Sequence, residues 1–138
     1  MSRSAEFDDA YRMSHRPSVD GPGLHAAHEV YPDIHEHPEY YLSTHTPEER
    51  SVRRETTRAL RSAKDKPDAD VKVHRAVPTH VNEIHPGDWV TPSRSYAEQH
   101  AGGEGGMHVI STTAKARHLI ATGDHPPEFG YQPRMQMP

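Results

Sequence analysis

Asp70-Val71-Lys72-Val73-His74-Arg75-Ala76-Val77-Pro78 decides how this chain is read. Apolar and polar residues alternate from Asp70 to Val77, the period-two pattern of a half-buried strand. Val71, Val73, Arg75 and Val77 then share one face. An arginine among three valines is a local conflict, because a guanidinium buried without a partner is strongly disfavoured. Conflicts of that kind concentrate at functional sites.

Upstream, Thr46-Pro47-Glu48-Glu49 opens a helix, with Thr46 as cap, Pro47 in the first turn and Glu49 completing a capping box. The helix is expected to run to about Lys64. Val52, Thr56, Ala59, Leu60 and Ala63 form its narrow apolar stripe, suited to packing on a sheet. Its other side carries Arg50, Arg54, Arg58 and Arg61, with Arg53 and Lys64 beside them. Seven of the 16 Lys and Arg fall between Arg50 and Lys66 in a chain whose net charge is -4. Such a stripe is either a solvated face or an electrostatic platform for an acidic partner or nucleic acid.

Downstream, His85-Pro86-Gly87-Asp88 is a turn leading into a short strand, Trp89-Val90-Thr91. Ser93 caps a helix that extends from Arg94 to about His100. Gly102, Gly103, Gly105 and Gly106 make a flexible loop. Met107 to Ser111 and Ala116 to Thr122 read as strands, Gly123 to Pro127 as a turn, and Glu128-Phe129-Gly130-Tyr131 as a last extended piece. Residues 1 to 45 show no sustained period and read as a loop-rich wrap, anchored by Tyr11, Tyr31, Tyr40 and Tyr41.

At 138 residues the chain is one domain's worth of material. Leu, Ile, Val and Phe together number only 19, a thin core, yet a net charge of -4 is too small for the disorder signature. Thirteen prolines and nine glycines argue against a helical bundle. No stretch approaches the roughly 18 apolar residues of a membrane span, and the N-terminus has no apolar signal core. These features lead us to expect a soluble intracellular protein without membrane association. The absence of cysteine excludes disulfides, thiolate nucleophiles and zinc-thiolate sites.

Thirteen histidines offer metal ligands at His25, His28, His35, His37 and His74, and a His-rich metal-binding module is one reading of the chain. The pairs lack a carboxylate at zincin spacing, however, and neither HExxH nor HxxEH occurs, so no specific metal site is expected. The glycine loop lacks the Lys-Ser/Thr of a phosphate cradle and reads as a hairpin or lid. Three elements belong together better: the Arg75 strand, the block from Pro86 to His100 containing Thr91 and Ser93, and Glu128-Phe129-Gly130-Tyr131-Gln132-Pro133.

These elements resemble the ADP-ribosyltransferase domains of phage and mobile-element polyvalent proteins, in the Arg-Ser-Glu branch of that fold. The resemblance rests on Arg75-Ala76-Val77-Pro78, Pro86-Gly87-Asp88-Trp89-Val90-Thr91-Pro92-Ser93 with Tyr96-Ala97 and His100, Lys115-Ala116-Arg117-His118-Leu119, and Glu128-Phe129-Gly130-Tyr131. Tyr11-Arg12-Met13-Ser14-His15-Arg16-Pro17, Gly23-Leu24-His25 and Tyr31-Pro32-Asp33 are similar to the leader of such domains. The resemblance therefore spans about residues 11 to 133, with a flexible N-terminus at 1–10 and a tail at 134–138. Gln132 stands where the family often has Asp. Pro126 stands where arginine-specific transferases carry Glu and asparagine-modifying ones Gln, so the resemblance names no acceptor.

The resemblance implies a single α+β domain, a split mixed β-sandwich, and transfer of ADP-ribose from NAD to a host macromolecule, or to water. It implies a bacterial host cytoplasm for a phage-encoded protein. Glu128 would hold the ribose and stabilise the oxocarbenium-like transition state, the role that the chemistry itself demands of a carboxylate. Arg75 would grip a phosphate or ribose as a fork of donors. Thr91 or Ser93 would orient both by hydrogen bonds, and Trp89, Tyr96, Phe129 and Tyr131 would flank the nicotinamide or close the core. The alternative is a non-catalytic protein of the same fold that engages an acidic partner or nucleic acid through the basic helix.

Overall fold

The computed structural model describes residues 21–102 and 105–133; Tyr11, the similarity of residues 11–17, Gly103 and the tail lie outside the described residues. Helix α1, Pro47–Ala63, begins as its sequence requires. Thr46 Oγ1 accepts from the Glu49 amide at 3.0 Å, and Glu49 Oε1 accepts from the Thr46 amide at 3.1 Å. Two otherwise orphaned donors are thereby satisfied. Val52, Thr56, Thr57, Leu60 and Ala63 are buried, as the three-and-four spacing dictates.

Strand β1, Asp70–Pro78, pairs along its whole length with β3, Met107–Lys115. β3 therefore runs four residues past its expected end at Ser111, and the Lys115 ammonium closes the ladder on Asp70 at 2.8 Å. Ala116 to His118 turn in a short 3-10 segment instead of opening the next strand. The reason is that the amides of Ala116 and Arg117 bond the carbonyls of Ala69 and Pro67, which draws them to the loop before β1.

A second sheet has the order β2-β5-β4, with β2 Trp89–Val90, β4 Leu119–Ala121 and β5 Phe129–Tyr131. Helix α2, Arg94–Ala101, follows β2 and packs on α1, β1 and β3. The architecture is thus α+β, but both sheets are antiparallel, which corrects the expectation of mixed pairing. Parallel neighbours need a crossover of about a dozen residues or more, and the link from β4 to β5 is only Thr122 to Glu128.

Val71, Val73, Val90, Leu119 and Phe129 from the sheets meet Leu60 and Ala63 of α1 in one core. The segment before α1 supplies Leu24 and Ala27 to that core from a short 3-10 turn, Leu24–Glu29, and Tyr31 and Ile34 from the turn that follows it. Tyr31 is buried and Tyr41 meets it edge-on at 5.4 Å. Tyr40, expected to anchor the segment, is 62% exposed and stacks on the exposed His37 ring at 4.7 Å. Gly23 bridges to Ile120, and a Cβ there would lie 2.8 Å from the Arg117 Cα, closer than any side chain tolerates.

Thr46→Ala should therefore lower stability by about 1 kcal/mol, the usual worth of an N-cap, while Thr46→Ser keeps most of it. Chemical denaturation followed by circular dichroism measures both; equal midpoints for Ala and wild type would mean that the box contributes nothing.

Candidate functional site

Among the described residues, β1 and β2 exchange one pair of backbone hydrogen bonds: His74 N donates to Thr91 O at 2.8 Å, and Thr91 N to His74 O at 3.0 Å. Continuing that antiparallel ladder would set Ala76 opposite Trp89. Instead, Arg75 Nη1 donates to the Trp89 carbonyl at 2.9 Å, and its Nε lies 3.7 Å from Asp88 Oδ2. A side chain thus takes the place of the next rung, and the two sheets part there. The conflict seen in sequence is resolved by this pairing and by partial exposure of the guanidinium.

The register sorts the remaining candidates. Val90 and Phe129 pair across β2 and β5 and face the core. Phe129 is wholly buried, so it closes the core and forms no nicotinamide wall. Thr91 lies on the opposite face, and Glu128 directly precedes β5, where the register, extended one step past the observed ladder, would set it across from Thr91. Trp89 and Tyr96 are half-buried beside this junction.

Glu128 is fixed from two directions. Tyr96 Oη donates to its Oε2 at 2.7 Å from the first turn of α2. The phenol has a single proton, so the 2.7 Å contact between His125 Nε2 and Tyr96 Oη must have His125 as donor. The Glu128 amide in turn donates to the His125 carbonyl at 3.0 Å, and Pro126 and Pro127 between them are buried, with φ angles their rings restrict. The result is a chain His125, Tyr96, Glu128 ending on a carboxylate just before β5.

Ser93 is completely buried, but it does not orient Glu128 or Arg75 as expected. Its one hydroxyl proton goes to Glu55 Oε1 of α1 at 2.9 Å, while its oxygen accepts the Tyr96 amide at 3.1 Å. Ser95 adds its amide to Oε1 at 2.9 Å and its hydroxyl to Oε2 at 2.7 Å. Burial acts to raise the Glu55 carboxyl, yet the hydrogen bonds from Ser95 and Ser93 outweigh it and hold the group below the usual range. Thr91 Oγ1 accepts the Ser93 amide at 3.1 Å. Ser93 is therefore a positioning residue: with Ser95 and Glu55 it locks the start of α2, and hence Tyr96, onto α1.

Sequence reasoning missed Glu55, His125 and the role of His74. Glu55 lies three residues after Val52 and four before Ala59, on the flank of the apolar stripe, and a carboxylate there was the available signal. His74 shares the Thr91 side of the sheet, is buried, and pairs through Nδ1 with Ser111 Oγ at 2.7 Å. Burial, reinforced by the positive charges of Arg94 and Lys72, lowers its pKa.

Of the histidines considered as ligands, His28 and His35 bring their rings to 5.6 Å, and both nitrogens of His35 are buried without a hydrogen-bond partner. Among the described residues, no group of three or more His, Asp or Glu is placed to hold a metal ion. No helix of the described residues is long and apolar enough to cross a membrane. Comparison of the chain with protein-family models, with curated proteins and with solved structures finds no match to any of them.

The pKa of His35, like that of His74 and His118, is lowered chiefly by burial. The folded state binds fewer protons than the unfolded one, so this stability is fully present above the ordinary value of 6.5 and is lost as pH falls below it. The urea midpoint should accordingly drop between pH 7.5 and 5.5, and His35→Leu should flatten the drop. A midpoint constant over that range would show that these rings do not couple to folding.

Proposed function

We propose that this protein transfers ADP-ribose from NAD to an acceptor, or to water as an NAD glycohydrolase. What supports it most is the Glu128 carboxylate, held by Tyr96 across from Thr91, one strand away from the split that Arg75 occupies. In chain order, Arg75 lies on β1, Thr91 and Ser93 follow β2, and Glu128 precedes β5, so the three groups belong to neighbouring strands.

Cleavage of the nicotinamide-ribose bond develops positive charge on the ribose ring, and Glu128 would stabilise it electrostatically while accepting the 2′-hydroxyl. Because Tyr96 and His125 fix the carboxylate beforehand, little reorganisation is needed as the charge develops. Arg75 would present its planar fork to a phosphate, keeping or exchanging its bond to the Trp89 carbonyl. Trp89 and Tyr96, half-buried at the junction, would flank the nicotinamide. Thr91 would steady the ribose or Glu128. The acceptor side is left to the exposed His125 and the buried Pro126, which offers no base. The competing view, a non-catalytic module that binds acidic partners through Arg50, Arg54 and Arg58, requires no carboxylate at this position.

Glu128→Gln keeps shape and removes charge. It should fold, bind NAD, and release nicotinamide roughly a hundredfold or more slower than wild type, the scale of one preorganised group. Arg75→Lys should weaken NAD binding, because a point charge replaces the fork. Near-normal nicotinamide release by Glu128→Gln would remove this residue from the mechanism, and a wild type that neither binds nor cleaves NAD would favour the binding module.

A further inference from the structure

A cleft of about 340 Å³ lies between α1, the first half of β1 and the start of α2, and none of Arg75, Trp89, Tyr96, His125 or Glu128 lines it. α1 ends close to where β1 begins, so the two elements run antiparallel along it: Ser62 stands near Asp70, and Glu55 near His74. The nine helical residues from Glu55 to Ala63 span about 12 Å along α1.

Its charges are unevenly satisfied. Asp70 is paired with Lys115, and Glu55 accepts three hydrogen bonds from Ser93 and Ser95. Arg94 is paired with Glu98 at 3.0 Å. Arg58 on one wall and Lys72 on the other are both exposed and have neither a hydrogen-bond nor an ion-pair partner among the described residues. The available charge of the cleft is therefore positive and lies on its two long walls.

The backbone adds a donor. The exchange between His74 and Thr91 shows that even-numbered residues of β1 aim their amides away from β3, so the N–H of Lys72 also faces this side. Beyond the cations the lining includes Ala59, Val71 and Pro92, together with the Ser62 hydroxyl, the buried His74 and the Glu55 and Asp70 carboxylates. A partly apolar space with two cations that lack ion-pair partners among the described residues, a strand-edge donor and a fixed carboxylate acceptor suits a small ligand bearing one phosphate and hydroxyl groups.

We propose that this cleft binds a phosphorylated sugar, free or as part of a nucleotide, with its phosphate between Arg58 and Lys72 and its hydroxyls toward Glu55. The volume is at the small end of ligand sites, about 300 to 1,000 Å³, and the lining holds no Phe, Tyr or Trp while its imidazole, His74, is buried and bonded to Ser111, which favours a small molecule over a nucleic-acid strand. The site stands independently of NAD chemistry at Glu128.

The test is an amide chemical-shift titration with ribose 5-phosphate, with inorganic phosphate and ribose as references. Ribose 5-phosphate should perturb residues around Arg58, Lys72 and His74 and bind more tightly than either reference. Arg58→Gln and Lys72→Gln should each weaken it by about tenfold or more, the scale of one charge-assisted hydrogen bond, while Arg54→Gln on the same helix leaves it unchanged. Thermal melting checks that each variant folds. Three results would overturn the proposal: affinity no better than that of inorganic phosphate, equal loss from Arg54→Gln, or perturbations centred on Tyr96, His125 and Glu128. The last would place the ligand in the other site.

Discussion

The Arg75 guanidinium bonded to the Trp89 carbonyl is the contact on which the rest of the site depends. It supplies a charged donor to that carbonyl at the point where two sheets diverge, and a hydrogen bond to a charged group is worth more than one between neutral groups. With it, β1 and β2 stay joined at His74 and Thr91 and separate immediately beyond. A charged side chain serves here as a rung, just beyond the backbone bridge of His74 and Thr91. Asp88 at 3.7 Å completes the pairing of the charge.

The two faces of that junction have different work. Toward the core, Val90 and Phe129 pack with Leu60 and Leu119 and set the positions of the strands. On the other face, Thr91, Glu128, Tyr96 and His125 form a polar series whose geometry is fixed by helix α2. That helix is in turn tied to α1 by four hydrogen-bonding groups, Ser93, the Ser95 amide and hydroxyl, and Glu55. Losing the Glu55 carboxylate would therefore loosen Tyr96 and, through it, Glu128, although Glu55 touches neither. The proposed activity at Glu128 and the proposed ligand cleft share this clamp: it is one end of the cleft and the support of the site.

What could be read from the sequence was what is local. The capping box at Thr46 and the Ser93 cap each lie within a few residues and are present as expected, whereas the alternation in β1 holds from Asp70 to Val73 and breaks at His74, which is buried too. The features that sequence reasoning missed depend on distant partners. β3 takes its length from pairing with β1, Ser93 finds its acceptor 38 residues away, and Ala116 is turned aside by Ala69. Tyr40 was expected inside because a chain poor in aliphatic residues has few other anchors; Leu24, Ile34 and Tyr31 from the same segment take that place. The order Arg75, Thr91/Ser93, Glu128 falls on β1, just after β2 and just before β5, but the partner of each side chain followed only from the register of the strands.

The central claim is that the split between β1 and β2, with Glu128 across from Thr91, is where NAD sits. Mapping amide perturbations on addition of NAD under conditions of slow turnover tests it most directly. The expected result is a set of shifted residues running from Arg75 through Trp89 and Thr91 to Tyr96 and Glu128, saturating together with a single dissociation constant. An unchanged spectrum, or shifts confined to Arg58, Lys72 and the α1 cleft, would contradict it.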